Sequence, residues 1–226
     1  MADRTERFLS YVLTVAAVMI ALVLVRREFF AKPPTGQMQS REPEYVNDWR
    51  AMLSQGRLIG DSGAVLHIVE FGDFECPFCA MFHERFKKLQ GVYGDDVAMT
   101  YIHFPLGNHA QAAPAAQASE CAATQGRFGP FVDLIFSQRD SLGVRSWVSF
   151  AGQSGVPDTV AFKSCMTDSV PSPLIEAGVK LGEQIQVRGT PTILVNGWRY
   201  PTPPTEAQLI AVMDALRAGV DPFKGK

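Results

Sequence analysis

The sequence predicts an α/β fold in which a helical segment is inserted between two strand-containing parts. Three patterns indicate this fold. An apolar strand signal, VLHIVEF at 65–71, is followed directly by a helix signal. The segment at about 108–186 has helical character. Strand patterning then returns in TPTILVNGWRY at 190–200. The chain has 226 residues, 46% of them apolar, which is enough for one well-buried domain with accessory segments.

The N-terminal segment, residues 1–30, differs from the rest of the chain. Its run FLSYVLTVAAVMIALVLV, at 8–25, contains no charged residue and approaches the length of about 20 residues that spans a bilayer as a helix. A cleaved signal peptide would have a shorter apolar region and a small-residue cleavage site, and a buried core helix would show a polar face. We therefore predict a single uncleaved transmembrane helix.

Residues 31–57 are predicted to form a linker and a short leading helix. The stretch AKPPTGQMQSR, at 31–41, is rich in proline, glycine and polar residues, a composition that cannot bury enough surface to fold. Trp49, Met52 and Leu53 then recur at helical spacing. The main domain is expected to occupy 58–226.

Local signals also predict the elements of this domain. The strand at 65–71 is β-branched and aromatic, and Pro77 suits the first turn of the helix that follows. A second strand begins at Val97. Asn196-Gly197 between two apolar runs is a strong hairpin signal, and a helix at 205–217 closes the chain.

The motif CPFC places Cys76 and Cys79 at the start of the helix that follows the first strand. Backbone N–H groups at a helix start lack intrahelical partners and carry partial positive charge, so a sulfur placed there is stabilised as a thiolate. Cys76 is therefore predicted to be the nucleophile. Cys79 lies one turn further into the helix, where it is shielded and placed to resolve a mixed disulfide formed on Cys76.

A C-x-x-C pair can also supply half of the ligands of a zinc site, or it can form a purely structural disulfide. A structural zinc site needs four ligands, often in two close pairs, whereas Cys121 and Cys165 are 44 residues apart. The histidines form no recognisable ligand pair; they are His67, His83, His103 and His109. Redox chemistry is therefore the favoured interpretation, with no metal and no cofactor expected.

Larger motifs indicate a family. The segments VEFGDFECPFC at 69–79 and GTPTILVNG at 189–197, with the helical insertion between them, resemble the DsbA family of thiol:disulfide oxidoreductases over most of residues 60–218. The resemblance implies a thioredoxin-like fold. It also implies that Thr190-Pro191 is a cis-proline dipeptide, which packs against the cysteine pair and hydrogen-bonds a substrate backbone; the alternative is an ordinary trans loop proline.

The same resemblance makes Glu70 the buried acid beneath the cysteines. Such an acid would have a raised pKa and could exchange a proton with Cys79 through water; a solvated carboxylate at the strand end is the alternative. Pro77 and Phe78 are expected at the substrate-binding surface. Strong oxidants of the family often have histidine at the position of Phe78. A histidine there can donate a hydrogen bond to the thiolate, whereas phenylalanine cannot.

Other side chains near the cysteines are expected to have simpler roles. Asp73 and Glu75 oppose a thiolate at Cys76 and are expected to be solvated loop charges. An apolar surface that receives unfolded chains could be formed by Phe74, Phe78 and Phe82, with Trp198. Ordinary core packing is the alternative, and it explains at least Phe82.

Cys121 and Cys165 could be free core thiols or a structural disulfide. Four cysteines that divide into a redox pair and a second pair favour the disulfide in an oxidising compartment, and some members of the DsbA family carry a second bridge in the helical region. The segment that follows the apolar run at 8–25 carries one more positive charge than the segment that precedes it, which slightly favours a cytoplasmic C-terminal domain. The cysteines outweigh them, so we expect the C-terminal domain to face the periplasm or cell exterior.

The predicted function is an extracytoplasmic thiol:disulfide oxidoreductase that introduces disulfides into reduced or unfolded exported proteins. The resemblance implies a quinone-linked membrane partner that reoxidises it. The formal net charge of −2, without a run of Lys or Arg, argues against nucleic acid. Two alternatives stay open: a reductase or isomerase of the same fold, and a redox-inactive assembly or binding subunit of a membrane complex.

Overall fold

A computed structural model describes residues 2–30, 42–167 and 171–224. The chain divides into two compact units, Met1–Arg41 and Glu42–Lys226. Helix α1, Ala2–Phe30, belongs to the first unit and covers the apolar run at 8–25. The structure does not show the membrane-spanning character expected of this run: within the described residues, no helix combines the length and the apolar character needed to cross a membrane. The expected linker at 31–41 lies outside the described residues.

In the described part of the second unit, six strands form one mixed sheet. The strands are β1 Glu44–Tyr45, β2 Arg57–Ile59, β3 Leu66–Gly72, β4 Val97–His103, β5 Thr192–Val195 and β6 Trp198–Arg199. Their order across the sheet is β1-β6-β5-β3-β4-β2. The central strand β3 runs parallel to β4 and antiparallel to β5. Its seven residues are all buried, as expected for a strand covered on both faces.

Seven helices surround this sheet within the described residues of the second unit. They are α2 Pro77–Tyr93, α3 Ala112–Ala123, α4 Phe128–Ser137, α5 Trp147–Gln153, α6 Thr159–Thr167, α7 Pro173–Gln184 and α8 Glu206–Arg217. Helices α3 to α7 fall in the segment where the sequence predicted a helical insertion. The leading segment forms a 3₁₀ helix, Trp49–Gln55, and the short strands β1 and β2 beside it were not predicted.

Residues that alternate along β3 pack on opposite faces of the sheet. Leu66 and Ile68 join the larger core cluster, together with Cys79 and Phe82 of α2. Val69 and Phe71 join a smaller cluster on the other face, which includes Trp49 and Met52. Since strand side chains alternate with period two, Glu70 points to the same face as Leu66 and Ile68. That face is the one covered by α2.

Two local features, a hairpin turn and a buried glycine, determine how neighbouring elements meet. Asn196 and Gly197 both have positive φ, 47° and 88°, and they join β5 to β6 as the hairpin that the sequence predicted. Helix α7 lies close against β4 at Gly178, where an added Cβ would come within 2.4 Å of the His103 carbonyl oxygen. A glycine is therefore required for this approach.

Candidate functional site

The two cysteines lie where β3 passes into α2. Gly72 ends the strand, residues 73–76 form the cysteine loop, and Cys76 is the N-cap of α2 with Pro77 in the first helical turn. Both thiols are free, and both side chains are buried. The unpaired N–H groups of the first helical turn therefore point towards Cys76.

Cys76 is held in a setting that favours its thiolate. When protonated, the Cys76 thiol donates to the Thr190 carbonyl oxygen at 3.3 Å, and this one contact favours the neutral form. A hydrogen bond from the Cys79 thiol is the largest influence on its pKa, and the backbone N–H groups of Cys79 and Phe78 act in the same direction. Burial opposes them, and the net effect lowers the pKa of Cys76 to about 5. Cys76 is thus the ionised thiol at neutral pH.

Cys79 has the opposite electrostatic setting. It is fully buried, and the backbone N–H of Asp73 donates to its Sγ at 3.4 Å. Burial raises the pKa of Cys79 well above its ordinary value, and the neighbouring Cys76 and Glu70 raise it further. The structure therefore separates a reactive outer thiol from a protonated inner one, the arrangement that a nucleophile and a resolving thiol require.

The loop that precedes β5 covers the cysteines. The Thr190-Pro191 peptide bond is cis, and the Thr190 carbonyl is the group that contacts Cys76. Pro77 and Phe78 are exposed beside it, and Phe78 presents 63% of its surface. Of the residues expected at the substrate-binding surface, Pro77 and Phe78 are therefore exposed, whereas Thr190 is half-buried and Pro191 is buried.

Glu70 lies beneath the pair, inside the protein. It is completely buried, and neither of its carboxylate oxygens has a hydrogen-bond partner among the described residues. Burial raises the pKa of Glu70 to about 8, against the opposing influence of the nearby Cys79 thiol. A carboxyl group with this pKa exchanges its proton near neutral pH, and its neighbour here is the thiol that must lose one.

A family model described as Thioredoxin matches residues 53–215. The chain belongs to the thioredoxin family. One curated relative of this thioredoxin-family chain is the Na(+)/H(+) antiporter NhaA 1 of Mycolicibacterium gilvum (strain PYR-GCK), which is 33% identical over 165 residues, or 70% of the chain and 26% of the relative. The chain spans about a quarter of the length of the curated relatives that it matches first.

Solved structures share the thioredoxin-like fold. Oxidised BdbD from Bacillus subtilis superposes with a TM-score of 0.61 at 20% identity, covering 79% of this chain and 96% of that one. The α-DsbA1 of Wolbachia pipientis gives a TM-score of 0.60 at 20% identity, covering 73% of this chain and 92% of that one. The likeness shows a mixed α/β thioredoxin-like fold with a helical insertion.

Two acidic residues in the cysteine loop of this thioredoxin-family protein are not the solvated charges that the sequence suggested. Asp73 is buried, and its carboxylate accepts hydrogen bonds from the protein. Glu75 is half-buried and accepts one from the backbone N–H of Gln111 at 2.5 Å. Both expectations were wrong because the loop at 104–111 supplies donors that the local sequence does not reveal.

The apolar surface beside the cysteines is smaller than expected. Phe74 is buried and stacks on Tyr101, with ring centroids 4.8 Å apart. It therefore belongs to the core and cannot contact an incoming chain, whereas Phe78 can. The expectation for Phe74 failed because the cysteine loop turns this side chain inwards, towards β4.

The second cysteine pair lies in the inserted helices. Cys121 of α3 and Cys165 of α6 form a disulfide, with Cα atoms 5.8 Å apart. The bridge therefore joins two helices of the insertion. No group of three or more His, Cys, Asp or Glu side chains in the described ranges is arranged to hold a metal ion.

Sequence reasoning missed His109 and Tyr101. His109 Nδ1 lies 2.7 Å from Asp73 Oδ2, and Tyr101 pairs with Glu70 in the register of β3 and β4. The Tyr101 hydroxyl is buried, without a hydrogen-bond partner among the described residues. Neither contact had a local signal, because the partners are 36 and 31 residues apart in the chain.

Proposed function

We propose that this thioredoxin-family protein is an extracytoplasmic thiol:disulfide oxidoreductase that introduces disulfides into exported proteins. The observation that carries the proposal is the opposite ionisation of the two thiols, with the pKa of Cys76 lowered to about 5 and that of Cys79 raised. A stabilised Cys76 thiolate favours the reduced pair over the disulfide, which makes the disulfide form an oxidant.

The exchange proceeds in two balanced steps. A substrate thiolate attacks Cys76 of the Cys76–Cys79 disulfide, which forms a mixed disulfide and releases Cys79 as a thiolate that takes a proton from Glu70 or water. A second substrate thiolate then attacks the substrate sulfur of the mixed disulfide, and Cys76 leaves as a thiolate. The substrate loses two electrons and the cysteine pair gains them.

The substrate backbone is expected to bind along the Thr190-Pro191 loop, since extended peptides commonly pair with exposed backbone edges. Pro77 and Phe78 would contact its apolar side chains. A quinone-linked membrane partner would then reoxidise the pair, as the resemblance to the DsbA family implies.

Disulfide transfer is tested with the oxidised full-length chain and a reduced, unfolded protein that carries two cysteines. The wild type should convert both substrate thiols into a disulfide while its own pair becomes reduced. Cys76→Ser should abolish transfer, and Cys79→Ser should trap the mixed disulfide when the reduced variant meets a disulfide substrate. No transfer by the oxidised wild type would instead favour the redox-inactive binding subunit, and transfer by Cys76→Ser at the wild-type rate would show that the Cys76–Cys79 pair does not carry the reaction.

Membrane attachment forms a separate part of the proposal. Its support is the uncharged run at 8–25 and the exposure of the large apolar side chains of α1 between Phe8 and Val23. Deletion of residues 2–30 should move the protein from the membrane fraction to the soluble fraction of cells. Protease added to intact spheroplasts should digest the wild-type domain if it faces outwards, and its protection would place the domain inside.

A reductase of the same fold is the second candidate. Phe78 favours it, because a histidine at this position could donate to the Cys76 thiolate and phenylalanine cannot. The two candidates differ in the equilibrium potential of the cysteine pair, since a reductase has a more negative potential than an oxidant.

A further inference from the structure

Asp73 is the most heavily bonded side chain of the cysteine loop. Its carboxylate is wholly buried. Oδ1 accepts a hydrogen bond from the backbone N–H of Glu75 at 2.8 Å, and Oδ2 accepts from the backbone N–H of Leu106 at 2.9 Å and from His109 Nδ1 at 2.7 Å. A buried carboxylate costs free energy unless donors satisfy it, and here three donors come from two different loops.

The backbone of the same residue contacts both cysteines. The N–H of Asp73 donates to Cys79 Sγ at 3.4 Å, and the Asp73 carbonyl accepts from the N–H of Cys76 at 3.1 Å. The backbone conformation of Asp73, which orients the Gly72–Asp73 peptide group, therefore determines where the N–H points relative to the Cys79 sulfur. The side chain fixes that orientation, because it is anchored to groups outside the loop.

His109 is the one side chain among the three groups that donate to the Asp73 carboxylate, so substitution can remove it. Its side chain is partly exposed, at 21%, and the hydrogen bond to Asp73 raises its pKa. A protonated imidazole beside a buried carboxylate gives a charge-assisted bond, which is stronger than a neutral one. Other ionisable groups that face His109 are Glu75 and Cys76, and both also favour its charged form.

We infer that Asp73, held in place by His109, is a positioning residue that aims its backbone N–H at the Cys79 thiolate. The inference rests on the proposed function, because it concerns the step in which Cys79 is ionised. When Cys79 leaves or attacks Cys76, its sulfur carries a full negative charge inside the protein. A correctly aimed N–H stabilises that charge at no cost in reorganisation.

The resolving step isolates this effect. A reduced chain reacts with an aromatic disulfide that releases a coloured thiolate. Attack by Cys76 releases one coloured equivalent and leaves a mixed disulfide. The Cys79 thiolate then attacks Cys76 Sγ, forms the Cys76–Cys79 disulfide and releases the second equivalent, while the Cys79 proton goes to Glu70 or water. At about pH 7 Cys76 is already ionised, so its attack forms the first phase. Rapid mixing separates this phase from the second, which reports the reaction of Cys79.

Three single variants and one double variant of the full-length chain test the inference. Asp73→Asn should slow the second phase about tenfold, because the amide opposes two N–H donors, and His109→Ala should slow it about threefold. His109→Asn should recover most of the loss, since its amide nitrogen can take the place of Nδ1. Asp73→Asn combined with His109→Ala should be no slower than Asp73→Asn, because His109 acts through Asp73.

His83→Ala is the matched control. It removes another 2.7 Å contact between an imidazole and a carboxylate, with Asp133 of α4, and it should leave the second phase unchanged after correction for folded fraction. A wild-type second phase in both Asp73→Asn and His109→Ala would overturn the inference and leave the proposed function standing. Equal slowing by His83→Ala would also overturn it. If the wild type releases no coloured thiolate, both the inference and the proposed function are overturned.

Discussion

At the scale of single residues, the cysteine pair shows how one helical turn separates two chemistries. Cys76 faces the helix start and the Thr190 carbonyl, whereas Cys79 faces the core and Glu70. The hydrogen bond between the two thiols favours the charge on Cys76 and disfavours it on Cys79. A small difference in position therefore becomes a large difference in ionisation.

The reactivity of Cys76 should follow its lowered pKa. Alkylation of the reduced protein is expected to show a midpoint near pH 5 at Cys76, whereas Cys79 should stay unreactive at neutral pH. Cys79→Ala should move the Cys76 midpoint upwards, because the largest stabilising hydrogen bond is lost. Cys79→Ser keeps a donor and should move it less. Rates measured by peptide mass at a series of pH values check this, and equal midpoints in the two variants would contradict it.

Glu70 should make stability depend on pH. Its pKa is raised from an ordinary 4.5 to about 8, so between these values the folded state binds a proton that the unfolded state has lost. The free energy of unfolding should therefore fall as pH rises through this window, by at most about 1.4 kcal/mol per pH unit. Glu70→Gln should make the slope smaller in the disulfide form, where the cysteines do not titrate, and the raised pKa of His109 should leave a residual fall above its ordinary pKa of 6.5.

Denaturant titrations across this pH range measure the effect. The exposed Glu84→Gln is the control and should keep the wild-type slope. A slope in Glu70→Gln equal to that of the wild type would mean that another group carries the proton.

At the scale of elements, the inserted helices are tied together and to the sheet by specific contacts. The Cys121–Cys165 disulfide joins α3 to α6. A bidentate contact of Arg57 with Glu120, together with His103, joins β2 and β4 to α3. These groups lower the pKa of Glu120 to about 2 against the opposing effect of burial. The insertion is therefore a fixed part of the domain that carries the cysteines.

Loss of the second disulfide should cost stability without removing the redox pair. Replacing both Cys121 and Cys165 by alanine opens a loop of 44 residues, and the chain-entropy model gives a loss of about 3 to 4 kcal/mol. Urea unfolding of the oxidised protein measures it. A change below about 1 kcal/mol, the size of an ordinary point substitution, would show that the bridge adds little to the packed helices.

Close packing of α7 on β4 depends on Gly178. Gly178→Ala brings a Cβ against the His103 carbonyl, so the helix must shift, and we expect a loss of about 1 to 3 kcal/mol. Gly91→Ala is the matched control in α2. No atom lies within 4 Å of its added Cβ among the described residues, and it should be neutral or stabilising by up to about 1 kcal/mol. Equal effects of the two variants on thermal unfolding would contradict the packing argument.

At the scale of the whole molecule, local signals predicted the elements better than they predicted the contacts between them. The strand at 65–71, the helix start at Pro77 and the Asn196-Gly197 turn depend on neighbouring residues, so the sequence alone was sufficient. The Asp73–His109 contact depends on how the loop at 104–111 packs on the cysteine loop. No pattern in a single sequence reports such a distance, and Asp73 was therefore misjudged.

The equilibrium potential of the Cys76–Cys79 pair tests the central claim most directly. The full-length chain is equilibrated in glutathione buffers of known ratio, and the state of the pair is determined by thiol alkylation and peptide mass. Because the thiolate of Cys76 is stabilised, we predict a potential of roughly −120 to −180 mV, the range of disulfide donors and isomerases. A value near roughly −270 mV, that of a thioredoxin-like reductant, would contradict disulfide donation.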